Sequence, residues 1–92
     1  MESQKRSKTE QKLPKWFKGM IYKEGAEVRN PFSGESYELT GVELSLYDFI
    51  IGCQMVFDTV PNSMTSKRID EFQKALNWFR KNNPEAYYVL LD

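Results

Sequence analysis

The chain contains no histidine. That absence removes the commonest general acid–base and the commonest neutral metal ligand. A Ser-His-Asp or Cys-His catalytic arrangement therefore has no place within one copy of the chain. Cysteine is reduced to Cys53, which excludes an internal disulfide and a thiolate metal cluster. The five glycines (Gly19, Gly25, Gly34, Gly41 and Gly52) are scattered, and none belongs to a phosphate-cradling motif. No apolar run reaches the length of a membrane-spanning helix, and no charged-then-apolar stretch reads as a secretory signal. These absences lead to the expectation of a soluble, cytoplasmic protein without membrane, metal or cofactor, and not an enzyme. Catalysis would have to come from Asp, Glu, Lys or Tyr alone.

What is present suits one small domain. The 92 residues are 40% hydrophobic and 14% aromatic, enough for a packed core. A domain this small buries only about 60% of its unfolded surface, so association with a partner adds needed stability. The formal charge of zero conceals a split. Residues 1–23 carry seven Lys or Arg against Glu2 and Glu10, whereas residues 24–92 carry six basic and eleven acidic residues. A basic segment of +5 thus precedes an acidic body of −5.

Residues 1–12 have no apolar side chain after Met1 and are expected to form a disordered basic arm. Residues 13–92 then form a single compact α+β domain. Its first part reads as a short antiparallel β-meander over about 16–39. Residues 16–22 (WFKGMIY) are aromatic and β-favouring, and 26–30 (AEVRN) read as a second strand. Lys23-Glu24-Gly25 forms the turn between them, with Gly25 supplying any positive φ. Asn30-Pro31-Phe32-Ser33-Gly34 is the next turn, and 35–39 alternate polar and apolar as a third strand. The turn has the outline of a zinc knuckle with Asn and Ser in place of its cysteines. Those residues supply local hydrogen bonds and not the thiolates structural zinc needs.

Thr40-Gly41-Val42-Glu43 matches a capping box, so a first helix is expected over about 41–58. Val60-Pro61-Asn62 breaks it. A second helix follows over about 64–82, with Ile69, Phe72, Leu76 and Phe79 at helical spacing. Asp70 and Glu71 precede Lys74 by four and three residues, an ordinary surface pairing. Asn83-Pro84 then stops that helix and starts a short one over about 84–91. A terminal strand at 86–91 is the alternative, because YYVLL is β-prone.

The first helix carries two apolar faces. Val42, Leu46, Phe49, Ile50, Cys53, Val56 and Phe57 fill one broad arc. Cys53 lies within that arc and reads as a small packed hydrophobe. Leu44, Ile51 and Met55 form a second stripe beside Gly52, with Glu43 and Asp48 on different flanks. Leu44, Ile51, Gly52 and Met55 therefore make a candidate self-association face, as in a twofold homodimer. The other candidate surface is the basic arm: Lys5, Arg6, Lys8, Lys12, Lys15, Trp16 and Lys18 interleave cations with an aromatic ring, as nucleic-acid contacts do. Against it, Trp16 and Phe17 suit a core anchor, and the acidic body repels phosphate.

Four stretches, Trp16-Phe17-Lys18-Gly19, Asn30 to Glu35, Leu46 to Gly52 and Trp78 to Tyr87, resemble small uncharacterised proteins encoded by marine tailed phages, including those of cyanobacteria. The resemblance spans roughly residues 13–92. That family has no established activity, so the resemblance transfers no functional residue. It implies a phage accessory or virion-associated protein acting in a bacterial host cytoplasm. The expectation from residues and resemblance together is a small non-enzymatic interaction or accessory protein that self-associates or meets another protein. A nucleic-acid-associated module using the basic arm is the alternative.

Overall fold

A hairpin feeds directly into a long helix, and a second helix folds back to cover it. The computed structural model describes residues 11–91. Strand β1 (Ala26–Arg29) pairs antiparallel with β2 (Ser36–Leu39), in register Ala26↔Leu39 and Val28↔Tyr37. Helix α1 (Gly41–Thr59) follows without a linker, then a 3₁₀ turn (Pro61–Ser63) and helix α2 (Ser66–Asn82). A short helix α3 (Pro84–Ala86) continues as a π-helical turn through Tyr87–Leu91. The fold is α+β, and its last segment is helical rather than a strand.

The hairpin turn is built by side chains. Asn30 Oδ1 accepts from the amides of Phe32 at 2.8 Å and Ser33 at 3.3 Å. Ser33 Oγ accepts from Glu35 N, and Gly34 closes the turn at φ +82°. Asn30 Nδ2 also donates to the Val89 carbonyl at 2.9 Å, so the turn is fastened to the C-terminal helical segment. An isolated two-stranded hairpin is marginal in water. Here α1, α3 and the segment after α3 supply the missing support.

The expected strand at 16–22 does not form, and the meander is reduced to its hairpin. Adjacent residues in a strand point to opposite faces. Trp16 and Phe17 instead both pack on Phe49, each with ring centroids 5.8 Å away. The backbone accommodates this by turning, with Phe17 N bonded to Pro14 O. Further along, Tyr22 N donates to the buried Ser45 Oγ of α1 at 2.9 Å rather than to a neighbouring strand. Tertiary packing of two rings overrides the β propensity of the segment.

Gly25 also has a different role from the one expected. Its φ is not positive; Gly34 alone among the described glycines has that conformation. Gly25 is required because a Cβ there would lie 1.8 Å from the Leu39 carbonyl oxygen. Gly25→Ala is therefore expected to destabilise the domain by about 2 kcal/mol, through forced displacement of β2. Urea unfolding followed by circular dichroism measures this, and an unchanged midpoint would contradict the close approach.

The capping box is present in both directions. Thr40 Oγ1 accepts from Glu43 N, and Thr40 N donates to Glu43 Oε1. Helix α2 starts at Ser66, two residues later than expected, because Thr65 is the cap and its hydroxyl accepts from Arg68 N. Asn83 caps α3 through Ala86 N. Lys74 and Asp70 form the expected surface pair at 3.1 Å. Glu71 does not join them and is buried.

The core is one cluster: Leu39 of β2, Leu46 and Ile50 of α1, Ala75 and Phe79 of α2, Ala86 and Leu90 at the C-terminal end. On α2 the fully buried line is Ala75 and Phe79, while Ile69 is partly exposed. The expected stripe is thus rotated toward Ala75, where a methyl group lets α1 approach. Phe57 and Phe72 extend the α1–α2 contact, with centroids 5.2 Å apart. Beneath the hairpin lies a polar knot centred on Glu43, which is 0% exposed. Its Oε2 accepts from Asn83 Nδ2 at 2.8 Å and from Gln11 Nε2 at 2.9 Å. Thr40 Oγ1 donates to Gln11 Oε1. Gln11, expected to belong to the disordered arm, is thereby tethered to the body. Lys12 of that arm is exposed, and residues 1–10 lie outside the described residues.

Candidate functional site

Pro61 ends α1 because the ring cannot continue the amide ladder, and the 3₁₀ turn reverses the chain. The Thr65 cap then sets Arg68 one turn into α2, facing α1. Between these elements lies an open cleft of about 480 Å³. Phe49, Gly52, Cys53 and Val56 of α1 form its floor and one wall. Met64, Arg68, Met20 and Asp48 also line it, Asp48 adding a carboxylate and Arg68 a guanidinium. The size falls within the range of small-ligand or side-chain pockets.

Phe49 organises this region. It holds Trp16 and Phe17 on one side, and the Arg68 guanidinium sits 5.5 Å from its ring centroid. Cys53 is buried beside them. Burial pushes its thiol up from the ordinary range, with Arg68 pulling it down and Glu71 pushing it up. The thiol is therefore protonated at neutral pH, as suits a packing residue rather than a nucleophile. Among the described residues no group of three His, Cys, Asp or Glu side chains is placed to hold a metal ion. What the cleft offers is an apolar floor with one cation and one anion at its edge, a surface suited to binding.

No family model, curated protein or solved structure matches the chain. The residues themselves must carry the functional reading.

The four residues expected to form a self-association face divide in the structure. Leu44 is half-buried and packs against the core cluster. Ile51 is half-buried, while Gly52 and Met55 are exposed. Gly52 lines the cleft, and a Cβ there would meet nothing within 4 Å. The stripe is split because the hairpin and C-terminal segment cover the start of α1 and leave its second half open.

The basic residues also divide. Lys12, Lys15 and Lys18 are exposed. Lys5, Arg6 and Lys8 lie outside the described residues. Trp16 is half-buried and its ring is engaged with Phe17 and Phe49. It serves as a core anchor and is not offered as a stacking platform for bases. Sequence reasoning missed Met20, Met64 and Arg68 as partners of α1. Met64 and Arg68 are four residues apart about the Thr65 cap, but Met20 is more than forty positions away, and no spacing in the chain links it to them or any of the three to α1.

Proposed function

We propose that this protein is a small non-enzymatic interaction module that self-associates through the cleft side of α1. The observation that carries this reading is the gathering of exposed apolar side chains there. Met20 is 64% exposed and Met55 62%. Val56 lines the cleft, and Ile21 and Val60, adjoining lining segments in the chain, are also exposed. Single exposed apolar residues are ordinary, but here two of them, Met20 and Val56, line one concavity and two more, Ile21 and Met55, are their neighbours in the chain, as at a contact surface. A homodimer is the simplest closed assembly that would cover it. Among the described residues no helix is long and apolar enough to cross a membrane. On this reading, and if the sequence resemblance to small proteins of marine tailed phages holds, the module would act as an accessory or virion-associated protein in a bacterial host cytoplasm.

Sedimentation velocity of the full chain over micromolar concentrations tests the proposal. A species of twice the 10.8 kDa chain mass is expected. Met55→Glu sets a charge on the contact surface and is expected to weaken association about tenfold or more. A monomer at every concentration would overturn the reading.

A further inference from the structure

The hairpin turn presents an aromatic ring with nothing around it. Phe32 is 97% exposed, the most exposed of the large hydrophobic residues described. Its mount is stiff. Asn30 Oδ1 holds the amides of Phe32 and Ser33, Asn30 N donates to the Glu35 carbonyl at 2.7 Å, and Gly34 N donates to the Asn30 carbonyl at 2.9 Å. The Asn30 amide is in turn fastened to Val89. A ring carried on a preorganised backbone loses little further freedom on binding, which is the character of an interface anchor.

The charges beside the ring match those of the cleft. Arg29 and Glu35 flank the turn, both exposed. Asp48 and Arg68 stand at the cleft. The ion pair among the described residues is Lys74–Asp70, and none of these four charges joins one there. A docked Phe32 would carry one cation and one anion, Arg29 and Glu35, to a cleft lined by one of each, Arg68 and Asp48. The ring itself would meet Phe49, Val56 and Met64, and Gly52 leaves room because it has no side chain. Phe32 does not occupy the cleft of its own chain, since it is almost wholly exposed.

We propose that the self-association described above is a knob-in-cleft exchange, in which Phe32 of one copy inserts into the Phe49–Arg68 cleft of another. Done reciprocally, the exchange satisfies a closed twofold dimer, each copy giving and receiving one ring. The proposal rests on the self-association reading and deepens it by naming the contact. Aromatic and arginine residues are the side chains most enriched at energetic centres of interfaces, and the opposed charges fix which way the knob enters.

Sedimentation velocity of full-length variants tests it. Phe32→Ser changes a side chain that makes no core contact, so its thermal midpoint should match the unaltered chain. Its association is expected to weaken by about 30-fold, as for loss of an anchor residue. Gly52→Trp fills the cleft from an open helix position and should have the same effect. The decisive experiment mixes the two. The Phe32→Ser protein retains its cleft and the Gly52→Trp protein retains its knob, so an equimolar mixture should associate more tightly than either alone. Arg68→Glu should weaken association, and adding Glu35→Arg should recover part of it. If Phe32→Ser associates as tightly as the unaltered chain while Met55→Glu does not, the exchange is wrong and self-association stands. If the mixture is no tighter than its components, the exchange is likewise wrong. A purely monomeric unaltered chain would remove both.

Discussion

Replacing Phe79 with alanine should cost the domain about 4 kcal/mol, the usual loss for a fully buried phenylalanine. The ring is 0% exposed and heads the fully buried side chains by size. It lies in the cluster that draws together β2, α1, α2 and the C-terminal end, so the cavity it leaves has walls from four separate segments. Such walls cannot collapse together, and the upper part of the usual range applies. A chain of 92 residues has a total stability of roughly 5–14 kcal/mol. The variant would thus lose more than a quarter of it, and its thermal midpoint should fall by about 15–30 °C. Phe79→Leu keeps most of the volume and should cost about 1.5 kcal/mol or less. Urea and thermal unfolding by circular dichroism separate the two. A loss below about 1 kcal/mol for the alanine variant would mean that Phe79 does not anchor the core.

Glu43→Ala should cost about 3 kcal/mol, from one lost helix cap and at least one buried donor left without its acceptor. The carboxylate accepts from Thr40 N at one oxygen and from Asn83 and Gln11 at the other. It therefore joins the start of α1, the α2–α3 junction and the entry segment at a fully buried point. Asn83 is itself nearly buried and also caps α3, while Tyr37 donates to its Oδ1 at 3.3 Å. Loss of Glu43 strands the Asn83 amide, and burying a polar group without a partner is what makes the substitution expensive. Glu43→Gln retains an acceptor for Thr40 but sets an amide nitrogen among other donors, so about half the loss is expected. The two sites should be coupled. Glu43→Ala and Asn83→Ala combined should cost less than the sum of the singles by about 1 kcal/mol. A double-mutant cycle from urea unfolding measures the coupling. Strict additivity would show that the knot acts as two unrelated caps.

Much of the local structure was legible because it rests on neighbours in the chain. Thr40 and Glu43 are three residues apart and satisfy each other in any context that permits a helix. Asn30, Ser33 and Gly34 hold their turn by bonds spanning a few residues. Pro61 and Pro84 delimit helices through their own geometry. Residues 16–22 were misread because their propensity is a weak preference. Two rings meeting Phe49, more than thirty positions away, outweigh it.

Glu43 shows the same division within a single residue. Its first oxygen was placed by the motif. Its second receives Asn83, forty positions on, and no local pattern announces that bond. Gly25 is required for a reason other than the positive φ expected of it, which it does not have: the Leu39 carbonyl that excludes a Cβ comes from the partner strand.

By itself the sequence determined the 26–39 hairpin, the two main helices and their order, the caps, the turn chemistry and the exclusion of histidine-dependent catalysis, because each depends on residue identity or short-range bonding. Only the tertiary structure decided which half of α1 stays open, that Trp16 is an anchor, and that Met20, Met64 and Arg68 join α1 around one cleft. Those outcomes depend on how distant segments share a surface. The same packing leaves the Phe32 ring almost wholly exposed.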